Sequence, residues 1–126
     1  MLFRSFDIDA LSHDPGVVAA YRDDPSVHDR VSARLVRALQ QAGEQAIRDA
    51  PGLHVPTLLL VSGADRIVDP AGAYAFAAAL PPGIGTLRRY DDLHHEVLNE
   101  READRTRVVA DLLAWLEDRL AKTFSD

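Results

Sequence analysis

Asp65 and His95 are the residues whose types and spacing could do chemistry together. Each follows a short strand-like run. The acid comes after Thr57-Leu58-Leu59-Leu60-Val61, the imidazole after a run that closes at Tyr90. A carboxylate facing an imidazole fixes the ring's tautomer and stabilises the imidazolium that forms when the ring takes a proton. Such a pair serves as orienter and general base in acyl transfer through a nucleophile. The nucleophile itself is not legible. The sequence holds no Gly-x-Ser-x-Gly and no cysteine. Ser62 is the one serine near the pair, and it lacks the flanking turn that exposes a nucleophile and supplies an oxyanion-hole amide. Ser62-Gly63 reads as the turn leading to Asp65. The other serines, at 5, 12, 26, 32 and 125, stand far from such a context.

Two neighbours compete with the pair. Asp69 lies directly before Pro70, where capping a helix is its more economical role. His94 adjoins His95, and position alone does not separate them. The stretch Asp91-Asp92-Leu93-His94-His95-Glu96 also invites a metal reading. His95-Glu96-Val97-Leu98-Asn99 begins like His-Glu-x-x-His, but that zinc motif needs two imidazoles one helical turn apart. Asn99 holds the second place, so no metal or cofactor is expected, and the flanking acids read as a solvated rim. Gly83-x-Gly85 is half a dinucleotide fingerprint. It precedes a strand instead of joining strand to helix, which makes it turn chemistry.

The elements that must position these groups alternate between helix and strand. Residues 1–30 are rich in Asp, Pro and Ser and read as loops with a short helix over 15–21. Val31, Leu35, Leu39, Ala42 and Ala46 recur at helical spacing among Arg and Gln, predicting an amphipathic helix to about residue 50. Pro51-Gly52 stops it. The continuous apolar run 57–61 predicts a strand covered on both faces, as in a parallel sheet. Asp69-Pro70 opens a helix over 71–80, Pro81-Pro82-Gly83 ends it, and a shorter strand follows over 86–90. Asn99-x-x-Glu102 resembles a capping box. The helix it opens carries Val108, Val109, Leu112, Leu113, Leu116 and Leu120 as one apolar stripe. The order is that of an α/β fold with a parallel sheet. Asp65 and His95 then sit beyond the carboxyl ends of the strands, where such sheets carry their functional groups.

Only two strands are legible. A two-stranded sheet buried on both faces leaves open edges and is marginal in water. A missing N-terminal portion or a second subunit is therefore expected to cover it. The 126 residues make one domain or less, and a formal charge of −6 with no basic run argues against a nucleic-acid partner. The absence of cysteine fits a reducing, cytoplasmic setting. The N-terminus carries an early acid and no long apolar core, unlike a signal peptide. No apolar stretch approaches the roughly 20 residues needed to cross a bilayer.

These residues resemble the C-terminal half of α/β-hydrolases of the monoacylglycerol lipase and lysophospholipase-like group. Val55 to Val68, through Ser62-Gly63-Ala64-Asp65-Arg66, looks like that group's penultimate strand and acid turn. His95-Glu96-Val97-Leu98-Asn99-Glu100 looks like its histidine loop, where the His directly before Glu is catalytic. The resemblance thus selects His95 over His94 and Asp65 over Asp69. Leu11-Ser12-His13-Asp14-Pro15, Tyr21 and Asp23-Asp24-Pro25 are similar to its cap, and Ala114-Trp115-Leu116 to its closing helix. It implies two parts. Residues 1–50 form part of a cap with the amphipathic helix, and 51–126 a core of strand, helix, strand, helix. It also implies hydrolysis of a lipid-like carboxylic ester, with the first strands, oxyanion-hole turn and serine elbow all outside this sequence. The chain alone is then expected to be inactive. The helix over 31–46 offers a face for peripheral membrane contact, but its modest, Ala-rich stripe favours ordinary packing. The rival readings are a non-catalytic assembly module and, last, a receiver-like domain, which needs about five strands.

Overall fold

The computed structural model describes residues 2–4, 7–28 and 30–123. Ser5 and Ser125 lie outside the described residues. The elements run β1 (Leu2–Arg4), α1 (Pro15–Asp23), β2 (Arg30–Ser32), α2 (Ala33–Asp49), β3 (Thr57–Ser62), α3 (Ala71–Ala79), β4 (Gly85–Tyr90) and α4 (Glu102–Thr123). Single 3-10 turns precede α1 and follow α2.

The alternation of helix and parallel strand is as expected. β3 and β4 pair in parallel, in register from Thr57 opposite Gly85 to Ser62 opposite Tyr90. Both strands thus end together, and the two segments that follow them leave from the same edge. Between them, α3 makes the crossover. Pro81 stops it, and Gly83 takes a positive φ of 81° in the turn back to β4. Leu60 of β3, Tyr90 of β4, Leu93, Val97 and Val108 of α4 form the core under this edge. The Tyr90 hydroxyl donates to Asp111 of α4 at 2.7 Å. Burial, then the Asp111 carboxylate, push this phenol up to about 12. Trp115 donates its indole N–H to Thr86. Two polar contacts and one apolar cluster therefore fix α4 against β4.

Two expectations fail. Asn99 does not cap α4. Its side-chain amide donates to Glu96, its carbonyl accepts the Ser12 hydroxyl, and the helix begins at Glu102. The same short polar side chain that caps a helix also bonds locally in a loop, and here the loop wins. The two strand-like runs also understate the strand count. Arg30–Ser32 is extended and pairs antiparallel with Leu2–Arg4. Val31 therefore belongs to β2 and not to the helix. The cause is Ser32, whose hydroxyl accepts from the Leu35 amide and so starts α2 at Ala33.

The α4 stripe is buried at Val108, but Leu113, Leu116 and Leu120 are exposed. On α2, Leu35, Val36 and Leu39 are exposed as well. The sheet of β3 and β4 is too narrow to cover both helices.

Candidate active site

The turn after β3 and the loop after β4 are laced together. The Gly63 amide donates to the Tyr90 carbonyl and the Ala64 amide to that of Leu93. The Ser62 hydroxyl, buried, also donates to Leu93. Gly63 is required by close approach, since a Cβ there would meet the Asp91 Cα at 2.6 Å. Two residues beyond Gly63, the chain presents Asp65.

Asp65 Oδ2 lies 2.7 Å from His95 Nδ1. Its other oxygen accepts the amides of Ile67 and Val68 at 2.8 and 2.9 Å. The carboxylate is 11 % exposed and the imidazole 33 %. Burial opposes ionisation of Asp65. The Val68 amide, the His95 ring and the Ile67 amide outweigh it and hold the carboxyl below its ordinary value. An ionised carboxylate only accepts hydrogen bonds, so His95 must carry its proton on Nδ1. That leaves Nε2 as the basic nitrogen, on the more exposed side of the pair. The arrangement can take a proton at Nε2, hold the resulting imidazolium against Asp65, and return the proton later.

The competitors are placed elsewhere. Asp69 accepts from the Ala71 amide at the start of α3, but the N-cap position falls on Pro70, one residue later than expected. His94 turns away from Asp65 and stacks on His13, ring centroids 3.6 Å apart. Asp91 and Asp92 are exposed and pair with Arg89 and Arg107, a solvated rim as expected. Ser62 is a brace between the two loops. The other described serines are also engaged. Ser12 donates to Asn99, Ser26 bonds Asp24, and Ser32 caps α2. Among the described residues, no serine bonds His95.

One site residue escaped the sequence reading. Glu100 is fully buried and sits behind the histidine loop. It accepts the amides of His94 and His13 and faces His13 Nδ1 at 3.0 Å. Glu100, His13 and His94 are the described residues that group their donor atoms closely enough to suggest a metal ion, within 4.8 Å. The two rings nevertheless stack at an interplanar angle of 26°, so their in-plane lone pairs run side by side and do not converge on one point. Three N–H groups already occupy the carboxylate. The cluster is a hydrogen-bonded support.

Comparison with known proteins gives the same architecture. Residues 2–102 match the family Hydrolase_4, described as serine aminopeptidase, S33. The chain belongs to this α/β-hydrolase family. Similar proteins include a monoacylglycerol lipase of Mycolicibacterium smegmatis, 35 % identical over 92 % of this chain and 41 % of the relative. A monoglyceride lipase of Rattus norvegicus is 30 % identical over 91 % of this chain and 38 % of its own length. The crystal structure of the Paleococcus ferrophilus monoacylglycerol lipase superimposes with a TM-score of 0.80 at 30 % identity, covering 92 % of this chain and 45 % of that one. The chain therefore spans about two-fifths of the length of the Mycolicibacterium smegmatis and Rattus norvegicus lipases. It is a partial α/β-hydrolase, with the parallel sheet and flanking helices of that fold.

Proposed function

We propose that this chain supplies the acid–base half of a serine hydrolase triad acting on lipid-like carboxylic esters such as a monoacylglycerol or lysophospholipid. His95 is the general base and later the acid, and Asp65 orients it. The observation that carries the reading is the 2.7 Å bond between them, at the shared carboxyl edge of two parallel strands. The nucleophilic serine and its oxyanion hole lie outside these 126 residues, because the sequence contains no elbow to hold them. They come from a preceding half or a second subunit that also covers the open sheet.

The family description names a peptidase, whereas the relatives above are named as lipases. The ester reading follows the relatives. It draws physical support from the exposed Leu35, Val36 and Leu39 of α2, in the part of the chain read as a cap over residues 1–50. An apolar cap face suits an acyl chain or peripheral contact with a lipid surface. No helix among the described residues is long and apolar enough to cross a membrane. We place the protein in the cytoplasm on its lack of cysteine. The second reading, a non-catalytic assembly module, draws on the exposed Leu113, Leu116 and Leu120.

The test is a chimera in which these residues replace the matching segment of the M. smegmatis lipase. It is expected to release fatty acid from a monoacylglycerol and to leave an aminoacyl anilide intact. Cleavage of the anilide without the ester would reverse the substrate assignment. A folded chimera inert toward both would favour the assembly module.

A further inference from the structure

Three successive amides hold the backbone around His95. The His94 N–H donates to Glu100 at 2.7 Å, the His95 N–H to the Ala10 carbonyl at 3.4 Å, and the Glu96 N–H to the Leu11 carbonyl at 2.9 Å. Two of these acceptors belong to the segment before α1. That segment needs its own anchor, and Glu100 supplies it. One carboxylate oxygen accepts the His13 amide at 2.9 Å, while the oxygen that takes His94 also faces His13 Nδ1. Ser12 and Arg101 add a strap on each side, through the Asn99 and His13 carbonyls. Among the described residues, Glu100 is thus the side chain that accepts main-chain amides from both the histidine loop and the segment that carries Ala10 and Leu11.

We infer that Glu100 is a positioning residue for His95, clamping the segment from Ala10 to His13 against the histidine loop so that the imidazole meets Asp65. The inference rests on the proposed acid–base pair. It does not make Glu100 catalytic, since its bonds go to His13 and the His94 amide and not to Asp65 or the His95 ring. A buried carboxylate is the right group for the task. Its two oxygens offer about four lone-pair sites and no donor, so three N–H groups can share it. Burial penalises its charge, but the amides of His94 and His13 and the His13 ring outweigh that, and the carboxyl is held below its ordinary value. The carboxylate therefore stays ionised through neutral pH as an acceptor-only clamp. A glutamine would present an NH2 group to one of these donors and lose at least one bond.

Glu100→Gln in the chimeric hydrolase, where the open sheet is covered, tests this by NMR. The readouts are amide exchange at residues 94–96 and the low-field proton of His95 Nδ1 bonded to Asp65. Protection of these three amides is expected to fall about tenfold or more, with β3 and β4 amides changing less than about twofold. The low-field proton should broaden or vanish in parallel. Unchanged protection and an unchanged ring proton would overturn the inference, as would an equal loss at every amide, which marks general destabilisation. His13→Gln is the second variant, decisive if Glu100→Gln does not fold. It removes the ring's contact with Glu100 and its stack on His94 but keeps the His13 amide bond to Glu100, and a smaller loss of about threefold at the same amides is expected. No loss there would overturn the clamp. An unsubstituted chimera lacking the low-field proton would instead contradict the Asp65–His95 pair itself.

Discussion

Asp65→Asn in the chimeric hydrolase is expected to lower kcat about 10⁴-fold and leave KM nearly unchanged, as the corresponding change does in serine protease triads. The structure explains how so small a change acts. Asp65 Oδ1 accepts two main-chain amides, from Ile67 and Val68. An asparagine keeps its carbonyl oxygen there, because turning the NH2 inward would break both bonds. The NH2 then faces His95 Nδ1, where the carboxylate oxygen now lies. A donor in that place selects the tautomer with its proton on Nε2. The nitrogen that must accept a proton is then already protonated. The turn stays folded and the chemistry stops. A loss of 10⁴ is about 5.4 kcal/mol at the transition state, far more than one neutral hydrogen bond contributes to stability. Steady-state kinetics on the monoacylglycerol substrate checks this. A loss under about tenfold would mean that the acid does not orient the base.

The 126-residue chain by itself is expected to show no turnover of a short-chain nitrophenyl ester and no covalent labelling by a fluorophosphonate. Loss of the nucleophile alone costs about 10⁶ in kcat in a serine hydrolase, and the proposed division of the triad removes the oxyanion hole as well. The described serines have other work. Ser62 is buried against Leu93, and Ser12, Ser26 and Ser32 serve local backbone and capping bonds. The acid–base pair without its nucleophile has nothing to activate except water. Intact mass after fluorophosphonate treatment is the direct measurement. A mass increase mapped to any serine of this chain would overturn the division of the triad.

The parts of the fold that could be read in advance are those with a local signal. Leu58-Leu59-Leu60-Val61 reads as a strand covered on both faces; it pairs in parallel with β4, but Leu58, Leu59 and Leu60 are only half-buried. Asp65 and His95 were reachable because each stands just past a strand end, and strands that end in register deliver their next residues to one edge. What stayed hidden depends on distant partners. Arg30–Ser32 has three residues and no alternation of its own. Its extended state comes from pairing with Leu2–Arg4 and from the Ser32 cap. Asn99 carries a capping pattern, but its competing bond to Glu96 is equally local, and sequence does not rank the two. Glu100 is the clearest case. An acid among polar neighbours reads as solvated, and its burial depends on His13, 87 residues earlier in the chain. The α4 stripe was legible as apolar, yet the uncovered state of Leu113, Leu116 and Leu120 follows from the width of the sheet, which periodicity does not encode.

The proposal that His95 is the base is tested most directly by two single substitutions in the chimera, His95→Ala and His94→Ala, assayed on the same monoacylglycerol. His95 bonds Asp65, while its neighbour stacks on His13 with a buried, unpartnered Nδ1. Near-complete loss of turnover from His95→Ala is expected, with His94→Ala keeping most of it. Full turnover without the imidazole at 95, or its loss only on removal of the one at 94, would contradict the account.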